Sequence, residues 1–163
     1  MDTNDMATLA QRLSVLEAEA AVRRVMARYL QLCDTPTSGE TLPGLAELFT
    51  DDAIWAGRGT RYQVEFGEQL GKPAILAMFR GFLEPRPHYL LNAHYLTSES
   101  ITADHDSATG NWMLLQAATD TAGTSELRSA RLRVEFRCQS GDWKIVRFET
   151  TGLFRRDIDY FDA

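Results

Sequence analysis

Residues 126–139 read Glu126-Leu127-Arg128-Ser129-Ala130-Arg131-Leu132-Arg133-Val134-Glu135-Phe136-Arg137-Cys138-Gln139. Ala130, Leu132, Val134, Phe136 and Cys138 alternate there with Arg131, Arg133, Glu135 and Arg137. Successive side chains of a strand point to opposite sides, so this alternation predicts a strand with one face buried and one face in water. Outward from it, strand-like runs cover 88–102, 107–118 and 143–151. The separators are Asp104-His105-Asp106, residues 119–124 and Ser140-Gly141-Asp142, whose composition suits hairpin loops. Four long antiparallel strands are therefore expected in the second half of the chain.

The first half is helical. Over residues 7–33 the apolar residues Leu9, Leu13, Leu16, Val22, Val25, Met26, Tyr29, Leu30 and Cys33 recur mostly three and four apart, which predicts one long helix with a single buried face. The turn-forming run Asp34-Thr35-Pro36-Thr37-Ser38-Gly39 ends it. A short helix over 45–49, a strand over 53–56 and a glycine-rich ribbon over 57–72 around Tyr62, Val64 and Phe66 follow. Lys72-Pro73 opens a third helix over 74–83, proline being well placed in a first turn. Helices gathered on one face of an antiparallel sheet make an α+β architecture. The expected form is a cone-like curved antiparallel sheet wrapped on a long N-terminal helix and two shorter helices, enclosing a pocket of the kind that binds small molecules. Residues 1–163 read as a single domain, with 1–19 as a helical extension and 152–163 as a tail. That tail holds Asp157, Asp159 and Asp162 interleaved with Ile158, Tyr160 and Phe161; it either covers the pocket mouth, packs on a neighbouring subunit or is disordered.

Composition narrows the function classes. At 163 residues and 44% hydrophobic, the chain can bury a core of its own. A net charge of -6 argues against a nucleic-acid surface. The nearest approach to a basic cluster, Arg128, Arg131, Arg133 and Arg137, has Glu126 and Glu135 interspersed and reads as a solvated or interface strand face. No apolar run approaches the roughly 20 residues that span a bilayer, so no membrane partner is expected. The N-terminal residues 1–5 lack the marks of a signal peptide. Cys33 and Cys138 give no metal spacing and no disulfide framework; they are expected as buried thiols, and the cytoplasm as the location. His105 between Asp104 and Asp106 resembles a metal cluster only superficially, because hairpin-tip side chains point outward and no fourth ligand is near. No metal and no cofactor are expected.

Several pieces in order carry a resemblance. They are Arg28-Tyr29-Leu30-Gln31-Leu32-Cys33-Asp34, Leu48-Phe49-Thr50-Asp51-Asp52-Ala53-Ile54-Trp55, Gly71-Lys72-Pro73-Ala74-Ile75, His94-Tyr95-Leu96-Thr97, Ser107-Ala108-Thr109-Gly110-Asn111-Trp112 and Gly141-Asp142-Trp143-Lys144-Ile145. Together they resemble the SnoaL-like group of the superfamily related to nuclear transport factor 2, over about residues 20–161. The nearest pattern is that of the scytalone dehydratases and bile-acid 7-alpha-dehydratases. Those families place a tyrosine on the first helix, an aspartate near its end and a histidine on the first long strand; Tyr29, Asp34 and His94 match by position. The resemblance implies cofactor-free elimination. The extra histidine or acid of the dehydratases corresponds here to Trp112 and Gln116, and their asparagine four residues after the histidine is Ser98.

The residue types suit that chemistry. Removing water beside a carbonyl needs a base for the α-proton, a donor for the departing hydroxyl and a group to hold the enolate. Histidine titrates near neutrality and can do the first two in turn. A carboxylate behind it fixes its tautomer, and a phenol can donate to the enolate oxygen. Each residue also has an ordinary reading: Tyr29 as a core tyrosine, Asp34 as a loop opener, His94 as a satisfied strand histidine. Tyr29 and Asp34 share a helix face only if the helix stops before Asp34. The pocket wall is expected from Trp55, Phe66, Met78, Phe82, Leu96, Trp112, Leu114 and Phe148, with Trp55, Trp112, Gln116 and Phe148 binding substrate and His88 at the rim. The expected function is a lyase or isomerase of dehydratase type on a mid-sized apolar ring compound such as a polyketide, steroid or aromatic intermediate, working as a homodimer or higher homo-oligomer. The alternative is a non-catalytic module like the small subunits of ring-hydroxylating dioxygenases.

Overall fold

The computed structural model describes residues 3–36 and 39–158. Helix α1, Thr3–Asp34, is 32 residues long, about 48 Å at 1.5 Å per residue. Its buried face begins at Ala18 and continues through Val22, Val25, Met26, Tyr29 and Leu30. Leu9, Leu13 and Leu16, expected on that face, are exposed, Leu16 by 59%. The periodicity there is real, but no other described part of this chain covers the first four turns. Helix α2, Thr41–Leu48, inserts Leu45 into the core and runs directly into strand β1, Phe49–Arg58.

The predicted ribbon over 57–72 is instead helix α3, Gly59–Glu65, and a short strand β2, Glu68–Leu70. The glycines mark tight packing around Tyr62. A Cβ at Gly57 would lie 2.3 Å from the Tyr62 carbonyl oxygen, and one at Gly152 would lie 2.8 Å from the Tyr62 ring. Gly59 and Gly67 bracket the helix with φ of 77° and 63°, a region glycine enters without a Cβ clash. Helix α4, Lys72–Leu83, has Pro73 in its first turn and buries Ile75. The described residues thus hold three shorter helices where two were expected.

Strands β3 (Tyr89–Ala103), β4 (Ser107–Asp120), β5 (Ser125–Gln139) and β6 (Asp142–Ile158) follow as a meander. The sheet order is β2-β1-β6-β5-β4-β3, open at both edges. All neighbours are antiparallel except β1 and β6, which run parallel, so the sheet is mixed. Register shifts between Thr97 and Ser100, and between Ser129 and Ala130, bend the long strands as bulges do. The α+β cone expected from the sequence is present, with α1 packed against β3, β4 and β6 on the inner face. Val22, Met26, Leu45, Phe49, Ile75, Leu132, Val134, Phe136 and Ile145 form its fully buried centre. Residues 152–158, read as tail, continue β6 because Leu127 and Ser125 of β5 supply pairing partners for Arg156 and Ile158. Asp159, Tyr160, Phe161 and Asp162 lie outside the described residues.

Candidate active site

The inner sheet face, α1, α2 and α4 enclose a cavity of about 150 Å³. Aromatic rings form its floor: Trp55 and Phe148 stack with centroids 5.7 Å apart and planes within 5°, and Tyr29 lies 4.8 Å from Phe148. The Trp55 indole N–H donates to the Tyr29 hydroxyl oxygen at 3.1 Å. Burial holds the Tyr29 phenol well above its ordinary pKa, so it stays protonated through neutral pH.

Helix α1 runs through Asp34 instead of stopping before it. Tyr29 and Asp34 therefore point about 140° apart around its axis. His94 on β3 bridges the difference. Its backbone N–H donates to Asp34 Oδ2 at 3.1 Å, and its ring Nδ1 bonds Asp34 Oδ1. A carboxylate on Nδ1 selects the tautomer that leaves Nε2 unprotonated. His94 and Tyr29 line the same cavity, whereas Asp34 stands behind the imidazole and does not.

Two residues before His94 on β3, Asn92 fixes the helix end to the sheet. Its Nδ2 donates at 3.1 Å to the carbonyl of Cys33, one of the last helix carbonyls without an intrahelical donor. Asn92 Oδ1 in turn accepts from Gln116 Nε2 at 2.6 Å. Gln116 is thereby held beside His94, its register partner on β4.

Of the other expected pocket residues, Trp55, Phe66, Met78, Phe82, Leu114, Gln116, Phe148 and His88 line the cavity, while Leu96 and Trp112 do not. Trp112 covers Gly110, where a Cβ would lie 2.1 Å from its ring. Its indole donates to Glu99 Oε2 at 3.1 Å, and Glu99 pairs with Arg23 of α1 at 2.7 Å. Trp112 therefore fastens the sheet to the helix, two residues too far along β4 to reach the cavity. The sequence reading missed Cys33, Asn92, Tyr62, Tyr89, Thr150 and Arg128, all in the lining. Arg128 had a signal: it is in phase with Ala130, Leu132 and Val134, and extending that alternation back turns it inward. Grouping it with Arg131, Arg133 and Arg137 hid this. Those three are exposed, as expected for an outer face.

Cys33 keeps part of its surface open toward the cavity, yet its thiol is packed inside. Burial first, and the Asp34 charge second, push it from 9.0 up to about 12. A thiol raised in the folded state favours folding only while protonated. Its contribution is complete below about pH 9 and is lost as pH rises toward about 12. The urea midpoint of the wild type is expected to fall more steeply above about pH 9 than that of Cys33→Ala. Parallel curves would place the thiol in contact with water.

Among the described residues no group of three or more His, Cys, Asp or Glu is arranged to hold a metal, and no helix is long and apolar enough to cross a membrane. The profile of the SnoaL-like domain family matches residues 14–149. No curated protein matches the chain. Solved structures do. The hexachlorocyclohexane dehydrochlorinase LinA-type3 from Novosphingobium barchaimii LL02 is 20% identical, covers 90% of this chain and 94% of its own, and superposes with a TM-score of 0.73. A protein assigned as a scytalone dehydratase from Novosphingobium aromaticivorans DSM 12444 is 17% identical over 91% and 92% of the two chains, with a TM-score of 0.74. An NTF2-like protein with a cystatin-like fold from Novosphingobium aromaticivorans is 27% identical over 93% and 92%, with a TM-score of 0.70. At the identities of the first two, what is shared is the fold.

Proposed function

We propose the following function for this chain, which belongs to the SnoaL-like domain family: a cofactor-independent lyase or isomerase acting by acid/base chemistry on an apolar ring compound, such as a polyketide, steroid or aromatic intermediate. One observation carries the reading. An imidazole lines an apolar, aromatic-floored cavity with a carboxylate bonded to both its backbone N–H and its Nδ1. That is a tautomer-fixed base facing a largely apolar space, and an isolated structural histidine needs neither.

In the proposed reaction Nε2 of His94 takes the proton α to a carbonyl. The C–H pair becomes an enolate, whose oxygen receives a hydrogen bond from the Tyr29 phenol. The Trp55 indole donates to that phenol, and the Cys33 thiol is the phenol's other side-chain partner, so the phenol exchanges its contact with the thiol for one with the enolate oxygen. The carbon–oxygen bond at the β position then breaks, the imidazolium gives its proton to the departing hydroxyl, and water and a conjugated alkene leave. Asp34 stabilises the imidazolium between the two transfers. Gln116, held by Asn92, orients the carbonyl, and Trp55 and Phe148 hold the ring. Stopping before the second bond breaks and returning the proton elsewhere gives isomerisation.

The test offers cyclic β-hydroxyketones and follows the enone absorbance, alongside deuterium uptake from D2O at the α-carbon of 2-tetralone by NMR. Elimination or exchange above the level of the His94→Gln protein supports the reading. Equal rates in both proteins remove it.

The outer sheet face supports assembly from identical copies. Tyr95, Leu115, Ser129 and Phe154 are successive register partners across β3, β4, β5 and β6, and Tyr95, Leu115 and Phe154 are 56%, 37% and 49% exposed. Exposed apolar side chains grouped on either side of buried Ser129 on a monomer's surface mark a contact. Leu115→Lys is expected to lower the sedimentation mass from a multiple of 18.3 kDa toward one chain. A wild type that sediments as a monomer would remove homo-oligomer formation from the proposal.

A further inference from the structure

The cavity has a second polar pole that the proton-transfer scheme does not use. His94 pairs in register with Gln116, Gln116 with Arg128, and Arg128 with Arg155, so these residues form one row across β3, β4, β5 and β6. His94, Gln116 and Arg128 all line the cavity. Arg128 lies two strand spacings from His94, about 10 Å. Its side chain is only 10% exposed.

A guanidinium in so apolar a setting needs its charge answered. Two edges are answered within the chain: Nε donates to Glu126, and Nη1 to Glu65 Oε1 of α3 at 3.1 Å. Glu126 is itself clamped from the other side by Arg155. The remaining amine, Nη2, has no partner among the described residues, and Tyr62, Tyr89 and His88 line the cavity beside it with further polar atoms. Arg61 and Arg156 lie in an adjoining surface recess with Arg155 and Asp157. The opposite end carries the negative Asp34 behind His94.

We propose that Arg128 is the substrate's anchor and that the substrate is a ring carboxylic acid, its carboxylate on Arg128 and its reacting carbon at His94. A planar guanidinium fork matches a carboxylate, and a charge-assisted bond formed away from water is strong. The polarity of the cavity then sets orientation, because the reversed pose brings the carboxylate against Asp34. The proposal takes the reacting end from the function proposed above, but carboxylate binding at Arg128 is independent of turnover and can be measured without it.

The experiment titrates the full chain with benzoate and with benzamide, its uncharged isostere, and reads affinity from the displacement of amide NMR resonances. In the wild type benzoate is expected to bind at least tenfold more tightly than benzamide. Arg128→Gln is expected to bring the two within twofold of each other. Because that change removes one of the two partners of buried Glu126 and can unsettle the fold, Glu65→Gln supplies a second arm. Removing the Glu65 charge, and with it the ion pair on Nη1, is expected to raise benzoate affinity threefold or more and leave benzamide unchanged. His94→Gln is expected to keep the full preference, so loss of catalysis and loss of the anchor are read separately. Equal affinities for the two probes in the wild type, a preference surviving in folded Arg128→Gln, or no gain in Glu65→Gln would each overturn the assignment.

Discussion

Replacing His94 by glutamine is expected to lower turnover by about 10³-fold, because positioned acid/base catalysis of this kind contributes about 10² to 10⁴. Glutamine retains a polar amide near Asp34 but offers no basic nitrogen to the substrate. Asp34→Asn should cost about 10²-fold or more through a different route. The carboxamide can no longer hold Nδ1–H as an acceptor on both contacts, so the imidazole loses its fixed tautomer and its imidazolium loses its counter-charge. Both variants should fold, since neither side chain belongs to the fully buried centre. The measurement is the enone and exchange assay together with a thermal melt of each protein. Undiminished rates in the His94 variant would leave Asp34–His94 as a structural tie between α1 and β3. Rates lost together with the melting transition would say that the pair holds the fold.

Phe49→Ala is expected to cost about 3–5 kcal/mol, the range for removing a large aromatic from a closed core. Phe49 is wholly buried at the junction of α2 and β1. Its ring meets Tyr29 edge-on at 6.1 Å. Total stabilities of small domains are about 5–15 kcal/mol, so this single change consumes a large share. With a urea slope of about 2 kcal/mol/M, the midpoint should fall by about 2 M. A shift under about 0.5 M would mean that α2 slides in to refill the space. Tyr29 would then lose its packing partner without loss of stability, and cavity binding would change in its place.

Much of the fold was legible because period and composition are local properties. The alternation around Ala130–Cys138 and the hairpin separators placed four strands within two residues of where they lie, except that β6 runs on to Ile158 through residues read as tail. The spacing in residues 7–33 placed the long helix. Exposure of that helix's first turns was not legible, since Leu9, Leu13 and Leu16 obey the same period as Val22 and Met26. Periodicity reports a face and is silent on whether anything covers it. Glycine content over 57–72 suggested a ribbon because glycine was read as a backbone permission, whereas Gly57 and Gly152 are there to admit Tyr62.

The site shows the same division. Asp34 and His94 were chosen by residue type and by resemblance, and their bond depends on α1 crossing β3 at one point. Trp112 was chosen by strand phase, which was correct, but phase gives a face and not a position along it. Arg128 was set aside with its neighbours because charge was counted before phase.

The sequence by itself determined which side chains share a face, since that follows from covalent periods of two and of three to four residues. Tertiary structure alone decided which inward side chains meet. Sixty residues separate Asp34 from His94, and the row His94–Gln116–Arg128 exists only through strand register. Register and helix crossing are settled by packing summed over the whole core, and no local stretch of chain contains that sum.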